Sequence, residues 1–307
     1  MKTLNRREFL GTTTAGVLAA GAAVGHAAKG HPVPAKTSPA FGRPISFQSY
    51  GMRKEIEVDF QGTLRSVKAL GYDGVEMCSP LSYDKAGFGN LTPLKPEDIK
   101  KQIEDTGLFC HTSHFQAREI LEKDPAETAD YAARMGLSDI IMSGSGINDQ
   151  GTADDFMRWG EKCNKAAVAV QAAGLRLGYH NHAVGPMVSG KPQYEHIMEA
   201  LDPDMVTMQF QLASIVGGYD IVYYLEKYAG RYSSLHMHDY DPKMKAERPG
   251  RIGSIVPCGE GMIDWSALLK AAMKSPITDH GFIVEIETSE PLDGLKRSIA
   301  YLKSVQV

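Results

Sequence analysis

The sequence predicts an α/β protein, a single (β/α)8 TIM barrel, on three observations. From Ile45 onward, short apolar runs of β type alternate with helical patterns, the order of parallel strands joined by crossover helices. Eight such units fill the roughly 250 residues that one barrel takes. No Gly-x-Gly-x-x-Gly follows the first strand, which places a doubly wound open sheet behind the barrel.

Each element has its own signal. Ile45–Tyr50 reads as the first strand, followed by a helical pattern over Asp59–Leu70 that stops at Gly71. Gly74–Cys78 leads into Pro96–Thr106 and Gly107, Phe109–Ser113 into Ala126–Met135 and Gly136, and Asp139–Ser143 into Ala153–Ala173 and Gly174. Glycine just past the last periodic residue is where a helix turns left-handed and ends. The second half continues with Arg176–Asn181 and Gln193–Leu201, then Thr207–Leu212 and Asp220–Lys227. Tyr232–His238 with Asp264–Met273, and Gly281–Glu287 with Leu292–Ser304, complete the set. No internal repeat is visible beyond this alternation.

The first 28 residues belong to another category. Arg6-Arg7-Glu8-Phe9-Leu10 is a twin-arginine pattern, followed by a mild apolar stretch from Gly11 to Val24 and small residues around Ala27 for cleavage. Met1–Ala28 is therefore expected to be a twin-arginine signal peptide, residues 29–43 a linker rich in Pro, Ala and Gly, and residues 44–307 the barrel. The expected location is periplasmic or otherwise extracytoplasmic.

Composition excludes several classes. The 307 residues carry 33 Lys and Arg against 37 Asp and Glu, a formal charge of −4, so no basic footprint for nucleic acid is present. Hydrophobic residues at 43% and charged residues at 23% suit a soluble globular core. No apolar run reaches the roughly 20 residues of a membrane-spanning helix, so no stable membrane span is expected. Cys78, Cys110, Cys163 and Cys258 are scattered without a Cys-x-x-Cys pair, and buried free thiols are expected. The sequence leaves the oligomeric state open.

Ten histidines are present, and His26 and His31 fall in the leader and linker. Six of the other eight cluster near three strand ends: His111 and His114, His180 and His182, His236 and His238. Barrel chemistry is built at the C-terminal ends of strands. Residues i and i+2 of a strand share a face, so His180 and His182 point together, as do His236 and His238, and Glu285 and Glu287; Glu76 joins them. Charge aimed into a barrel is costly unless paired or metal-bound. Imidazoles and carboxylates meeting at one mouth suit one divalent metal, Mn, Co, Zn, Ni or Fe rather than Ca; a metal-free ionic network is the alternative. The long loop Tyr240–Met262 carries Lys243, Lys245, Arg248 and Arg251, which lie in solvent or cover the mouth.

The order of the motifs carries a resemblance. Phe47-Gln48-Ser49-Tyr50-Gly51-Met52-Arg53 forms a Gln-x-Tyr-x-x-Arg opening, and Leu70-Gly71-Tyr72-Asp73-Gly74-Val75-Glu76 follows. Then come Tyr179-His180-Asn181-His182, Gly230-Arg231 leading to Leu235-His236-Met237-His238-Asp239, Gly259-Glu260-Gly261 before Asp264-Trp265, and Val284-Glu285. This ordered set resembles the sugar phosphate isomerase/epimerase family, the xylose isomerase-like TIM barrels, across the whole mature domain.

That resemblance implies one divalent metal held by Glu, Asp, His and Glu at the ends of strands five to eight. Carried over by position, His236 and Glu285 match the last two, and His180 stands where many relatives have the first glutamate. Relatives read Phe-Gln-Leu-Asp on strand six; this chain reads Phe210-Gln211-Leu212-Ala213, and Ala213 offers no ligand. Gln209 and Gln211 face the same way and could offer an amide oxygen. The implied metal set is His180, His236 and Glu285.

The implied reaction is proton transfer next to a sugar carbonyl through an enediolate, isomerising or epimerising the sugar. Glu76 and Glu287 are the acid/base candidates, and His114 and His182 place hydroxyls. Gln48, Tyr50, His111, His238, Gln209 and Gln211 are the expected substrate-binding groups. Tyr50, Phe115 and Trp265 could stack on the sugar, while Arg53 either holds a loop or touches substrate. An exported enzyme meets free sugars, glycosides or keto-sugars rather than phosphorylated intermediates. A lyase or hydratase acting on 3-keto-glycosides is therefore an alternative, and a non-catalytic sugar-binding barrel is another.

Overall fold

Eight parallel strands close on themselves in the computed structural model, which describes residues 42–148, 150–244 and 254–306. The expected signal peptide, and the expected linker apart from Gly42 and Arg43, lie outside the described residues. The strands are β1 (Ser46–Gln48), β2 (Gly74–Cys78), β3 (Phe109–Gln116), β4 (Asp139–Ser143), β5 (Arg176–His180), β6 (Val206–Gln211), β7 (Tyr232–Met237) and β8 (Phe282–Val284). Each pairs with its neighbours in sequence order, and β1 closes the barrel against β8 through Phe47 and Val284. The helices that follow them are α1 (Phe60–Leu70), α2 (Pro96–Glu104), α3 (Pro125–Arg134), α4 (Ala153–Ala172), α5 (Gln193–Ala200), α6 (Ile221–Lys227), α7 (Trp265–Ala272) and α8 (Pro291–Leu302). Among the described residues no helix is long and apolar enough to cross a membrane.

Period-two alternation divides the strands between two cores. Phe47, Val75, Met77, Leu177, Tyr179, Met208, Phe210, Leu235, Met237, Phe282 and Val284 are all buried against the helix layer. Each such side chain contributes about 1.5–3 kcal/mol of transfer free energy. The alternate residues point inward, and toward the C-terminal end they are polar: Gln48, Glu76, His114, His180, Gln209, Gln211, His236 and Glu285. The expected glycine stops hold, since Gly71, Gly107, Gly136 and Gly174 all take positive φ. Cys78, Cys163 and Cys258 are buried free thiols, and Cys110 is half-buried.

Three strands depart most from the expected bounds, each for a local reason. β1 stops at Gln48, because the Gln48 side chain accepts from the Tyr50 backbone N–H at 2.9 Å and turns Ser49–Met52 into a 3-10 helix. β3 runs on to Gln116, paired with β4 all the way to Ser143. β8 is only Phe282–Val284, although the Glu285 N–H still reaches the Met237 carbonyl at 3.0 Å. Two short hairpins, Met187–Val188 with Lys191–Pro192 and Asp239–Asp241 with Ser254–Val256, extend the loops.

A charged cluster spans the N-terminal end of the barrel. Arg176 grips Asp139 with Nε at 2.7 Å and Nη2 at 2.8 Å. His280, just before β8 on the opposite side of the barrel, reaches the same carboxylate at 2.8 Å. Asp139 is buried, and these two partners hold it below the usual carboxylate range against the opposing effect of burial.

Candidate active site

The polar residues of the barrel interior converge across it near the C-terminal mouth. Glu76 on β2 is fully buried, and five donors surround its two oxygens. Oε1 faces Gln48 Nε2 at 2.7 Å, His236 Nε2 at 2.5 Å and His114 Nε2 at 3.2 Å. Oε2 accepts from Thr112 Oγ1 at 2.8 Å and Gln209 Nε2 at 2.7 Å. Burial alone would raise this carboxyl, but the His114 and His236 rings hold it well below its ordinary value. It is an ionised floor beneath the site.

His236 on β7 lies between two carboxylates, with Nδ1 3.2 Å from Glu285 Oε2 and Nε2 on Glu76. Burial would lower its pKa, yet Glu285 and Glu76 together lift it to about 10. Glu285 goes the other way, pulled down by His236 against burial, and also accepts from Gln211 Nε2 at 2.7 Å. His180 at the end of β5 is different. Burial and the nearby His236 and His114 push it well below its ordinary value, and its Nδ1 has no hydrogen-bond partner. His114, His180 and His236 form a triangle, with ring centroids 4.7, 4.5 and 5.0 Å apart. Each offers one ring nitrogen within 4.8 Å of the other two.

This set fits a divalent cation. The orphaned His180 Nδ1 and the unpartnered Gln211 Oε1 are buried acceptors that a cation or a substrate hydroxyl would satisfy. His236 can serve as a ligand only by releasing one of its two N–H protons, since both its nitrogens now face carboxylates. The expected set was His180, His236 and Glu285. The structure brings His180 and His236 together with His114 as the third nitrogen donor, while Glu285 reaches the cluster through His236.

The other expected site residues are distributed by depth. His182 lies exposed at the rim past β5, its ring 4.9 Å from that of His180. His238 is buried past the end of β7, where burial, aided by the His236 charge, pushes its pKa down to about 4. Tyr50 and Arg53 make one wall of the mouth, with the guanidinium 4.1 Å over the Tyr50 ring and Nη1 donating to the Tyr50 carbonyl. Glu287 is half-buried beside them, 3.7 Å from Arg53. Gln48 and Gln209 lie beneath the imidazoles, bonded to Glu76, rather than in the open mouth. Gln211 lies higher, on Glu285. Ala213 falls in the 3-10 segment Leu212–Gly217, which Asn181 anchors through the Gln211 N–H and Ser214.

Three expectations are corrected. His111 lies at the opposite end of the barrel, stacked on Phe109 and 5.2 Å from His280, because β3 extends to Gln116 and puts its C-terminal end beyond His114. Phe115 is buried in the helix layer, on the face of β3 opposite His114. Trp265 is also buried, and its indole N–H donates to Asp239 Oδ2 at 2.8 Å, so neither ring can stack on a sugar. Of the basic loop residues, Lys243 is exposed, while Lys245, Arg248 and Arg251 lie outside the described residues. The residue whose role sequence reasoning missed is Thr112; its spacing of two from His114 was the available signal.

Comparison with known proteins agrees with this architecture. The family described as xylose isomerase-like TIM barrel matches residues 64–305. An inosose dehydratase of Lacticaseibacillus casei is 23% identical over 262 residues, covering 75% of this chain and 83% of that protein. A sugar phosphate isomerase/epimerase from Parabacteroides distasonis superposes with a TM-score of 0.70 at 23% identity, covering 90% of this chain and 99% of that one. A xylose isomerase-like TIM barrel protein from Mycobacterium smegmatis, solved in complex with magnesium, superposes with a TM-score of 0.62 at 14% identity over 87% of this chain and 97% of its own.

Proposed function

Because the chain belongs to the xylose isomerase-like TIM barrel family, we propose that it is a carbohydrate-active enzyme of eliminating type. It removes a proton from the carbon beside the carbonyl of a keto-sugar, and the group on the next carbon departs. The observation that carries this reading is the imidazole triangle, with Glu285 at its lip, seated on an ionised and fully enclosed Glu76. The likeness to an inosose dehydratase supports elimination, since a dehydratase expels a group as water. A 3-keto-glycoside is the matching substrate for an exported chain, where the departing group is the aglycone.

The chain's own residues divide the work. To His182 and Glu287, past β5 and β8, we assign taking the proton and returning one to the departing oxygen. Gln211 and Glu285 orient hydroxyls at the lip, and Tyr50 with Arg53 forms the wall against which the ring rests. A divalent cation, where bound, would be held by His180 and His236 with His114 or Glu285, and would supply Lewis-acid polarisation of the carbonyl. The Arg6-Arg7 pattern supports an extracytoplasmic location.

A second reading, isomerisation or epimerisation, is favoured by the likeness to the sugar phosphate isomerase/epimerase of Parabacteroides distasonis. It shares the first proton transfer and differs in returning the proton to carbon. Incubation with 3-keto-glycosides and free sugars in deuterated buffer separates the two. Released aglycone supports elimination, and solvent deuterium in an intact sugar supports isomerisation. Binding without either reaction overturns both in favour of a sugar-binding barrel. His236→Ala and Glu285→Ala are each expected to lower activity about 100-fold or more and to reduce the metal measured by elemental analysis of the purified chain.

A further inference from the structure

We propose that Gln209 is a positioning residue that fixes the proton of His114 on Nε2 and leaves Nδ1 as that ring's acceptor. The inference rests on the imidazole triangle being the reacting centre. Gln209 is fully buried, so it works through other side chains rather than on a substrate. Its amide group bridges β6 to four partners: Nε2 lies 2.7 Å from Glu76 Oε2 and 3.1 Å from Ser234 Oγ, Oε1 lies 2.7 Å from His114 Nε2, and the His180 ring also hydrogen-bonds to this side chain.

The order of protons along this chain is forced. The NH2 end of the Gln209 amide faces Glu76 Oε2 and Ser234 Oγ, donating to the carboxylate oxygen that also accepts from Thr112 Oγ1. The carbonyl end then faces His114, and a carbonyl oxygen can only accept, so His114 Nε2 must be the donor. The secondary contact from His114 Nε2 to Glu76 Oε1, at 3.2 Å, demands the same proton. Gln48 repeats the device on the other side of Glu76. Its Nε2 donates to Oε1, because its own carbonyl is committed to the Tyr50 N–H and Ser49 Oγ. The enclosed carboxylate thus sets the direction of two amides, and one of them sets a histidine. Partners in this position fix the tautomer and orientation of the imidazoles they touch.

The test is nitrogen-15 NMR of the full chain, labelled at histidine and stripped of metal with a chelator, at about pH 8. In the wild type, His114 is expected to carry its proton on Nε2, visible as a slowly exchanging low-field N–H signal. Gln209→Met, which keeps the volume but not the amide, is expected to lose that slow exchange and to lower kcat about 10- to 100-fold with KM within about twofold. Ser234→Ala, which removes one anchor of the amide, is expected to fall between the two. A His114 proton found on Nδ1 or on both nitrogens in the wild type overturns the proposal, even if Gln209→Met does not fold. So does an unaltered His114 signal in Gln209→Met. A wild-type chain that shows the Nε2 signal but turns over no keto-sugar upholds the proton assignment and unseats the eliminating function instead.

Discussion

Glu76 has no exposed surface, and the donors around it come from β1, β3, β6 and β7. Its charge is therefore a shared support for four strands of the barrel. Glu76→Gln would turn an NH2 donor toward donors and leave the His236 imidazolium short of a counter-charge. Removing one partner of a buried ion pair costs about 3–5 kcal/mol, so the urea midpoint should fall sharply and activity with it. Alternation along β2 showed that Glu76 points inward, but inwardness carries no depth. Three groups expected to touch substrate, Glu76, Gln48 and Gln209, prove to lie one level lower. His111 failed on a different ground. A separation of three from His114 cannot keep both on one strand face, and the end of β3 could not be placed from an apolar run that continues as polar residues through Gln116.

At the scale of elements, the turn after β1 ties the mouth together. Gly51 packs so closely on the end of β8 that a Cβ there would stand 2.1 Å from the Ile286 carbonyl oxygen. Gly51→Ala must push the two rims apart. Overpacking of this kind costs about 1–3 kcal/mol, to be read in the thermal midpoint. The variant should also raise KM, because Tyr50 and Glu287 lie on either side of the contact. The eight barrel strands and their helices were legible in the sequence because each pairs an apolar outer face with a helix of matching period. The Ser49–Met52 turn, the short helix Ala117–Leu121 and the two hairpins were not. Each depends on a specific side-chain bond or a cross-loop pairing, such as Gln48 to the Tyr50 N–H, that hydrophobic periodicity does not encode.

For the molecule as a whole, two charged clusters shape the response to pH. Asp139, held below its unfolded value of about 3.9 by His280 and Arg176, stabilises the fold above that pH and ceases to do so as pH falls through its lower folded value. The gap in urea midpoint between the wild type and Asp139→Asn should therefore narrow as pH drops from about 5 to 2. His236 acts at the other limb. With its pKa raised to about 10, its contribution is complete below its unfolded value of about 6.5 and disappears as pH rises toward 10. A metal-free chain should lose stability over that alkaline range, and His236→Asn should lack the slope. Curves that run parallel across both limbs would remove these clusters from the account.

The Asp139–Arg176–His280 cluster also has a kinetic corollary. Among the described residues it lies across the barrel at its base, which favours the C-terminal mouth as the way in and out. Where the mouth serves both directions, whatever leaves after a turnover crosses the path of whatever arrives, and spent molecules compete with fresh ones for the same threshold.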